Sequence, residues 1–215
     1  MVDVKICGLS TLESVDAAID AGAGLVGLVF YPRSPRHVSL QQAKTLADHA
    51  RGRAKIVALI VDADDAALQG ISKNVAPDLY QAHGSETPQR VLEIGALTGK
   101  PLIKAIKVGN IKDVARATDY TGHASLILYD AKAPETLVDA LPGGNGLAFD
   151  WNLLGSSRQS EGFILSGGLN PENVARAIRV TGAPIVDVSS GVESVPGKKD
   201  LGLIRKFIEA AKAAR

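Results

Sequence analysis

The sequence predicts an α/β protein, a single (β/α)8 barrel of the TIM type spanning residues 1–215, and three observations predict it. Short apolar, β-branched runs recur eight times, amphipathic stretches of helical period lie between them, and the last two runs each end on a glycine turn. Runs without strict alternation suit strands buried on both faces, as parallel strands covered by helices are. Strand and helix alternating eight times give a closed parallel barrel. At 215 residues the chain can bury a substantial core, yet it is short beside the ~250 residues usual for this fold.

Taken in order, the strands are expected at residues 4–7, 25–30, 56–61, 79–82, 102–106, 126–129, 163–165 and 185–188. The first helix follows from Leu12, Val15 and Ile19, with Ser10 and Glu13 at capping-box spacing before them. The second follows from Leu40, Ala43 and Ala47, with Ser39 and Gln42 as its box. Asn110 precedes another helical stretch, and Leu201, Ile204, Ile208 and Ala211 form the apolar stripe of the last helix. The sixth unit is irregular. After Ala131 the chain passes Pro134, Pro142 and Gly143-Gly144-Asn145-Gly146 before Trp151, which predicts a long loop and a reduced helix. No linker composition marks a domain boundary.

Charge and composition narrow the function. Lys plus Arg total 24 against 23 Asp plus Glu, so no global field favours nucleic acid or an anionic membrane. No apolar stretch approaches bilayer length, and the Met-Val-Asp-Val-Lys start has no basic region followed by an apolar core, so a soluble cytoplasmic protein is expected. The single Cys excludes an internal disulfide and a cysteine-rich cluster, and the four His show no ligand spacing; no metal is expected.

Ser166-Gly167-Gly168-Leu169-Asn170-Pro171 and Val188-Ser189-Ser190-Gly191-Val192 are the two glycine turns. Gly168 can take backbone angles closed to residues with a Cβ, and Asn170 and Pro171 read as N-cap and first residue of the seventh helix. Either turn alone is as readily a plain tight turn. As a pair after consecutive strands they match the anion site that such barrels build from the loops after strands seven and eight, with Gly167, Gly168, Ser190 and Gly191 as phosphate-binding candidates.

The active site of such a barrel lies at the carboxyl ends of its strands, which selects Cys7, Arg36, His83 and Asp130. Cys7 is either a small apolar filler or, as a thiolate near cations, a base. Asp130, ending the sixth strand, either caps the following segment or acts as an acid. Arg36 lies in a loop stiffened by Pro32 and Pro35 and suits a carboxylate; His83 joins it as a substrate-binding candidate, or is a packing residue or a support for a neighbour; His37, His49 and His123 read as surface residues.

Read in order, Lys5-Ile6-Cys7-Gly8-Leu9, Ser34-Pro35-Arg36, Gln81-Ala82-His83-Gly84, Asp130, Gly143-Gly144-Asn145-Gly146, Phe149-Asp150-Trp151, the two glycine turns and Pro196-Gly197-Lys198-Lys199-Asp200 closely resemble the phosphoribosylanthranilate isomerases. The resemblance runs nearly end to end. It implies a cofactor-independent Amadori rearrangement of N-(5-phosphoribosyl)anthranilate, a phosphosugar aminoaldose, to 1-(2-carboxyphenylamino)-1-deoxyribulose 5-phosphate, in tryptophan synthesis, by a monomer or homodimer. It implies Cys7 as general base, Asp130 as general acid, Arg36 at the anthranilate end, and Gly168 and Gly191 in the phosphate loops. That chemistry asks for a lowered thiol pKa at Cys7 and a raised carboxyl pKa at Asp130. Ala82 replaces the leucine common in Gln-Leu-His-Gly, and Asn145 stands where Thr or Ser is usual, so local packing and loop ordering are where this chain departs. The nearest rival is another phosphate-binding barrel, such as an indole-glycerol-phosphate enzyme, expected to offer a lysine acid, or the histidine-pathway aminoaldose isomerase, against which Cys7 argues.

Overall fold

A computed structural model describes residues 2–134, 141–155 and 162–214. Its strands are β1 Asp3–Cys7, β2 Leu25–Phe30, β3 Lys55–Ile60, β4 Leu79–Ala82, β5 Leu102–Val108, β6 Leu126–Ala131, β7 Phe163–Leu165 and β8 Ile185–Val188. They pair in sequence order, all parallel, and β8 closes on β1 through Asp3↔Ile185 to Ile6↔Val188. The (β/α)8 barrel predicted from the apolar runs is the fold. Boundaries move by one or two residues. The largest extensions come together, β5 to Val108 and β6 to Ala131, because Lys107 and Val108 continue the ladder opposite Asp130 and Ala131.

The helices are α1 Leu12–Ala21, α2 Leu40–Ala50, α3 Asp65–Asn74, α4 Pro88–Thr98, α5 Ile111–Ala115, α6 Asn152–Gly155, α7 Val174–Thr181 and α8 Leu201–Lys212. The cap of α1 is Thr11 rather than Ser10: its hydroxyl accepts from Ser14 N, and Ser14 answers the Thr11 amide. Ser39 does cap α2, but the Gln42 side chain donates to Ser10 O instead of closing a box. Leu12 and Leu40 stand at the helix starts and are 39% exposed, while Val15, Ala43, Ala47, Ile204, Ile208 and Ala211 are buried as the stripes require. Asn170 accepts from Glu172 N and Asn173 N as a cap does, yet the next three residues form a turn and α7 begins only at Val174. The reduced sixth helix is the four-residue α6; residues 135–140 and 156–161 lie outside the described residues.

One unanticipated element follows β8. Strands β9 Glu193–Val195 and β10 Lys198–Lys199 form an antiparallel hairpin. Pro196-Gly197 between them was its sequence signal.

Two apolar layers hold the barrel. The larger lies between strands and helices, and a smaller one fills the interior with Leu25, Val57, Leu79, Ile103, Leu128 and Ile164. Side chains alternate along a strand, so moving up from this plug the inward positions become Lys5, Gln81, Asp130 and Asp187, all buried. The interior turns polar toward the carboxyl ends, and that change of lining places the site. Among the described residues, no helix is long and apolar enough to cross a membrane.

Candidate active site

A cleft opens at the carboxyl end of the barrel. Cys7, Arg36, His83, Asp130, Gly167, Gly168 and Ser190 all line it. Gly191 does not line it; its Cα faces the Leu169 carbonyl so closely that a Cβ there would overlap it. Ser190 to Val192 form a single 3-10 turn, in which Gly191 packs against the Leu169 backbone.

Asp130 is fixed on both oxygens. Oδ1 accepts from Ala131 N at 2.9 Å and Oδ2 lies 3.0 Å from His83 Nε2. Behind His83, Gln81 Nε2 is 2.8 Å from Nδ1; with Gln81 donating there, the ring proton sits on Nε2 and points at Asp130. Gly143 crosses directly above this chain: a Cβ there would stand 2.6 Å from His83 Nε2 and 2.8 Å from Asp130 Oδ2. A glycine is therefore needed for so close an approach. Asn145, the residue departing from the usual Thr or Ser, accepts from Leu141 N and donates to Leu141 O, tying the two ends of this loop together. Ala82 is fully buried in the outer core.

Arg36 is buried, and Glu193 on the hairpin grips it through Nε (2.7 Å) and Nη2 (2.8 Å). Glu193 also accepts from Lys199 Nζ at 2.6 Å. Burial raises the Glu193 carboxyl, but Arg36 and Lys199 together hold it below the usual carboxylate range. Burial pushes Lys199 down, Arg36 adding to the effect and Glu193 resisting it. Two cations share one anion here, and Arg36 is the better-matched partner because its planar fork takes both carboxylate oxygens.

Cys7 ends β1 at 3% exposure. Burial pushes its thiol up, opposite to the lowered value the chemistry asks for, because a dry site disfavours the thiolate; Lys5 is the largest opposing influence. On the far side, Gly167 and Gly168 both take positive φ, and a Cβ on Gly168 would fall 2.6 Å from Ala148 N and Leu147 O. Among the described residues the amides of Gly167, Gly168 and Ser190 donate to no partner, and all three residues line the cleft. No group of three or more metal-ligating side chains converges among the described residues.

Lys5, Gln81, Ser166, Asp187, Glu193 and Lys199 complete the polar lining or its support, and sequence reasoning gave them no roles. A Lys and an Asp inside the apolar runs Val-Lys-Ile and Val-Asp-Val were the available signal, since such residues are almost never fully buried unless paired.

The family model for N-(5'phosphoribosyl)anthranilate (PRA) isomerase matches residues 4–210. The chain belongs to this family. It is 52% identical over 213 residues to the N-(5'-phosphoribosyl)anthranilate isomerase of Parvibaculum lavamentivorans, 99% of each chain being covered. Its backbone is similar to the phosphoribosyl anthranilate isomerase crystal structure from Thermotoga maritima, with TM-score 0.88, 38% identity and 99% of both chains covered. It is also similar, at TM-score 0.85, 36% identity and 99% of both chains, to a phosphoribosyl anthranilate isomerase solved with reduced 1-(o-carboxyphenylamino)-1-deoxyribulose 5-phosphate.

Proposed function

We propose that this chain isomerises N-(5'-phosphoribosyl)anthranilate to 1-(2-carboxyphenylamino)-1-deoxyribulose 5-phosphate in tryptophan biosynthesis, using Cys7 and Asp130 as base and acid. The observation that carries this reading is the meeting of a thiol from β1 and a hydrogen-bonded carboxyl from β6 in one cleft that also holds unpaired amides and a guanidinium. The substrate has a matching group for each. Its phosphate goes to the amides of Gly167, Gly168 and Ser190, with Gly191 letting the second loop pack against Leu169, and its aromatic carboxylate goes to Arg36.

Asp130 gives a proton to the furanose oxygen as the C1–O bond breaks, and the nitrogen lone pair forms a protonated Schiff base at C1. Cys7, as thiolate, then takes the acidified C2 hydrogen. The electrons of that bond make an enolamine, which becomes the ketone as the C2 hydroxyl proton leaves and C1 is protonated. Proton transfers alone balance the sequence, without a cofactor. His83 holds the Asp130 carboxyl toward the ring oxygen rather than touching the substrate's breaking bonds. Every residue in this scheme comes from one chain, so a monomer or a homodimer would carry complete sites; a phosphorylated metabolite as substrate fits a cytoplasmic enzyme.

The test is turnover by the purified chain, followed as loss of the substrate's anthranilate fluorescence. Saturable loss with product formation is expected. Binding of a reduced product analogue without any turnover would instead make the chain a phosphosugar-binding protein that keeps the barrel.

A further inference from the structure

The proposed base is buried and its thiol is pushed up, so something in the barrel must favour the thiolate if it is to act. The charged groups bearing on Cys7 are Lys5 on its own strand, Asp187 on β8 and Lys199 on β10; β2, packed on its other side, offers only Gly27 at the paired position. Asp130 and His83 line the same cleft.

Lys5 has no solvent exposure, and its ammonium donates a hydrogen bond to Asp187 Oδ1 at 2.7 Å. Barrel closure sets this pair, because Lys5 and Asp187 stand opposite each other in the β1–β8 ladder. The second oxygen of Asp187 accepts from Ser166 Oγ at 3.0 Å, so the carboxylate is held from two strands. Lys5 precedes Cys7 by two residues and therefore points to the same inward face. Gly27 then decides their spacing. The Cβ that Gly27 lacks would be 2.9 Å from Cys7 Sγ and 3.2 Å from Lys5 Nζ, so the two groups converge on one bare spot of β2, at most about 6 Å apart. A side chain at 27 would wedge between them. Stability alone does not call for this arrangement, since a buried ion pair can often be replaced by apolar residues of similar volume without loss.

We propose that Lys5 is a positioning residue for the reaction: held in place by Asp187, its ammonium stands beside Cys7 Sγ and stabilises the thiolate that takes the C2 proton. This rests on the reading of Cys7 as base given above. Asp187 keeps the ammonium charged in a dry interior: burial alone would lower the Lys5 pKa, but Asp187 and Cys7 outweigh it and the net direction is up. An opposite charge at this range shifts an ionisable group by about one to three pKa units.

Because Cys7 is the only cysteine in the chain, its titration can be read in the free enzyme from the pH dependence of alkylation by iodoacetamide. Lys5→Met keeps the shape and removes the charge. Lys5→Met/Asp187→Asn also removes the stranded carboxylate and is the second route should the single variant fail to fold. In either folded variant the thiol midpoint should rise by about one unit or more, further in the single variant than in the double. Saturated turnover near neutrality should fall by about tenfold or more for each unit, with KM nearly unchanged and the acid limb of the kcat profile moving in step with the thiol. A folded variant whose thiol titrates as in wild type overturns the proposal, even if activity is lost. Cys7→Ala separates this from the underlying reading: full turnover in Cys7→Ala would remove Cys7 as base while leaving any Lys5 effect on the thiol intact.

Discussion

Arg36→Met separates two duties that the structure places on one guanidinium. Its Nε and Nη2 are taken by Glu193, and Nη2 also reaches Gly144 O at 3.3 Å, so Nη1 is the nitrogen left for a ligand. The substrate carboxylate therefore gains one charge-assisted bond rather than a full bidentate pair, worth about 1.5–3 kcal/mol. That corresponds to a rise in KM of about 10- to 150-fold, with the saturated rate falling much less because the carboxylate is remote from the bonds that break. The same change strands Glu193, and breaking a buried pair costs about 3–5 kcal/mol. Lys199 at 2.6 Å and Gly197 N at 3.2 Å still hold Glu193, which puts the loss at the low end. At about 2–4 °C per kcal/mol for a chain of this size, Tm should drop by about 10 °C. Arg36→Met/Glu193→Gln removes the stranded carboxylate, and Ser189 O and Oγ still hold Lys199, so it should regain part of the Tm and none of the KM. Steady-state kinetics by fluorescence loss together with thermal unfolding read both effects. A KM that returns to the wild-type value in the double variant, or never rises in the single one, would show that Arg36 only braces the hairpin.

Asp130→Asn keeps the shape and His83 contact but has no proton to give; kcat should fall by about 10² to 10⁴ with product-analogue affinity little changed, and high residual turnover with an unaltered pH profile would assign the acid elsewhere. Gly168→Val forces a branched residue into φ +60° against Leu147 and Ala148, and Gly191→Val drives a side chain into the Leu169 carbonyl; each should raise KM and reduce thermal stabilisation by inorganic phosphate, and a folded double variant stabilised by phosphate as strongly as wild type would place the anion elsewhere. Glu193 has a folded pKa below its ordinary 4.5, so its stabilisation is complete above that value and is lost as pH falls through the lower folded one. The Tm gap between wild type and Glu193→Gln should accordingly close on acidification below about pH 4.5, and a gap that stays constant to pH 3 contradicts the assignment.

The strands were legible because a parallel barrel buries both faces of each one, leaving compact apolar runs such as Leu25–Phe30 that need no partner to be recognised. Ser39 and Asn110 were legible as caps, but that of α1 only to within a residue: Ser10 and Thr11 are adjacent hydroxyls, and it is the extended backbone of Thr11 and the answering Ser14 that choose between them. Strand-end residues could be named from position alone, which is how Cys7, His83 and Asp130 were found. Lys5 and Glu193 could not be given roles that way. Their partners Asp187 and Arg36 lie 182 and 157 residues away, and barrel closure and the β9–β10 hairpin bring them together. The direction of the Cys7 shift was likewise hidden, since it depends on how dry the end of β1 is, and that is a property of the packed barrel.

The central claim, that a thiol at the end of β1 removes the C2 proton, is tested most directly by the saturated turnover of Cys7→Ala measured beside its affinity for the reduced product analogue. The account predicts a fall in kcat of about 10² to 10⁴ with affinity nearly unchanged, because the substitution removes a base and few buried atoms. Turnover at the wild-type rate in a folded Cys7→Ala protein would make Cys7 a packing residue and place the base on another group.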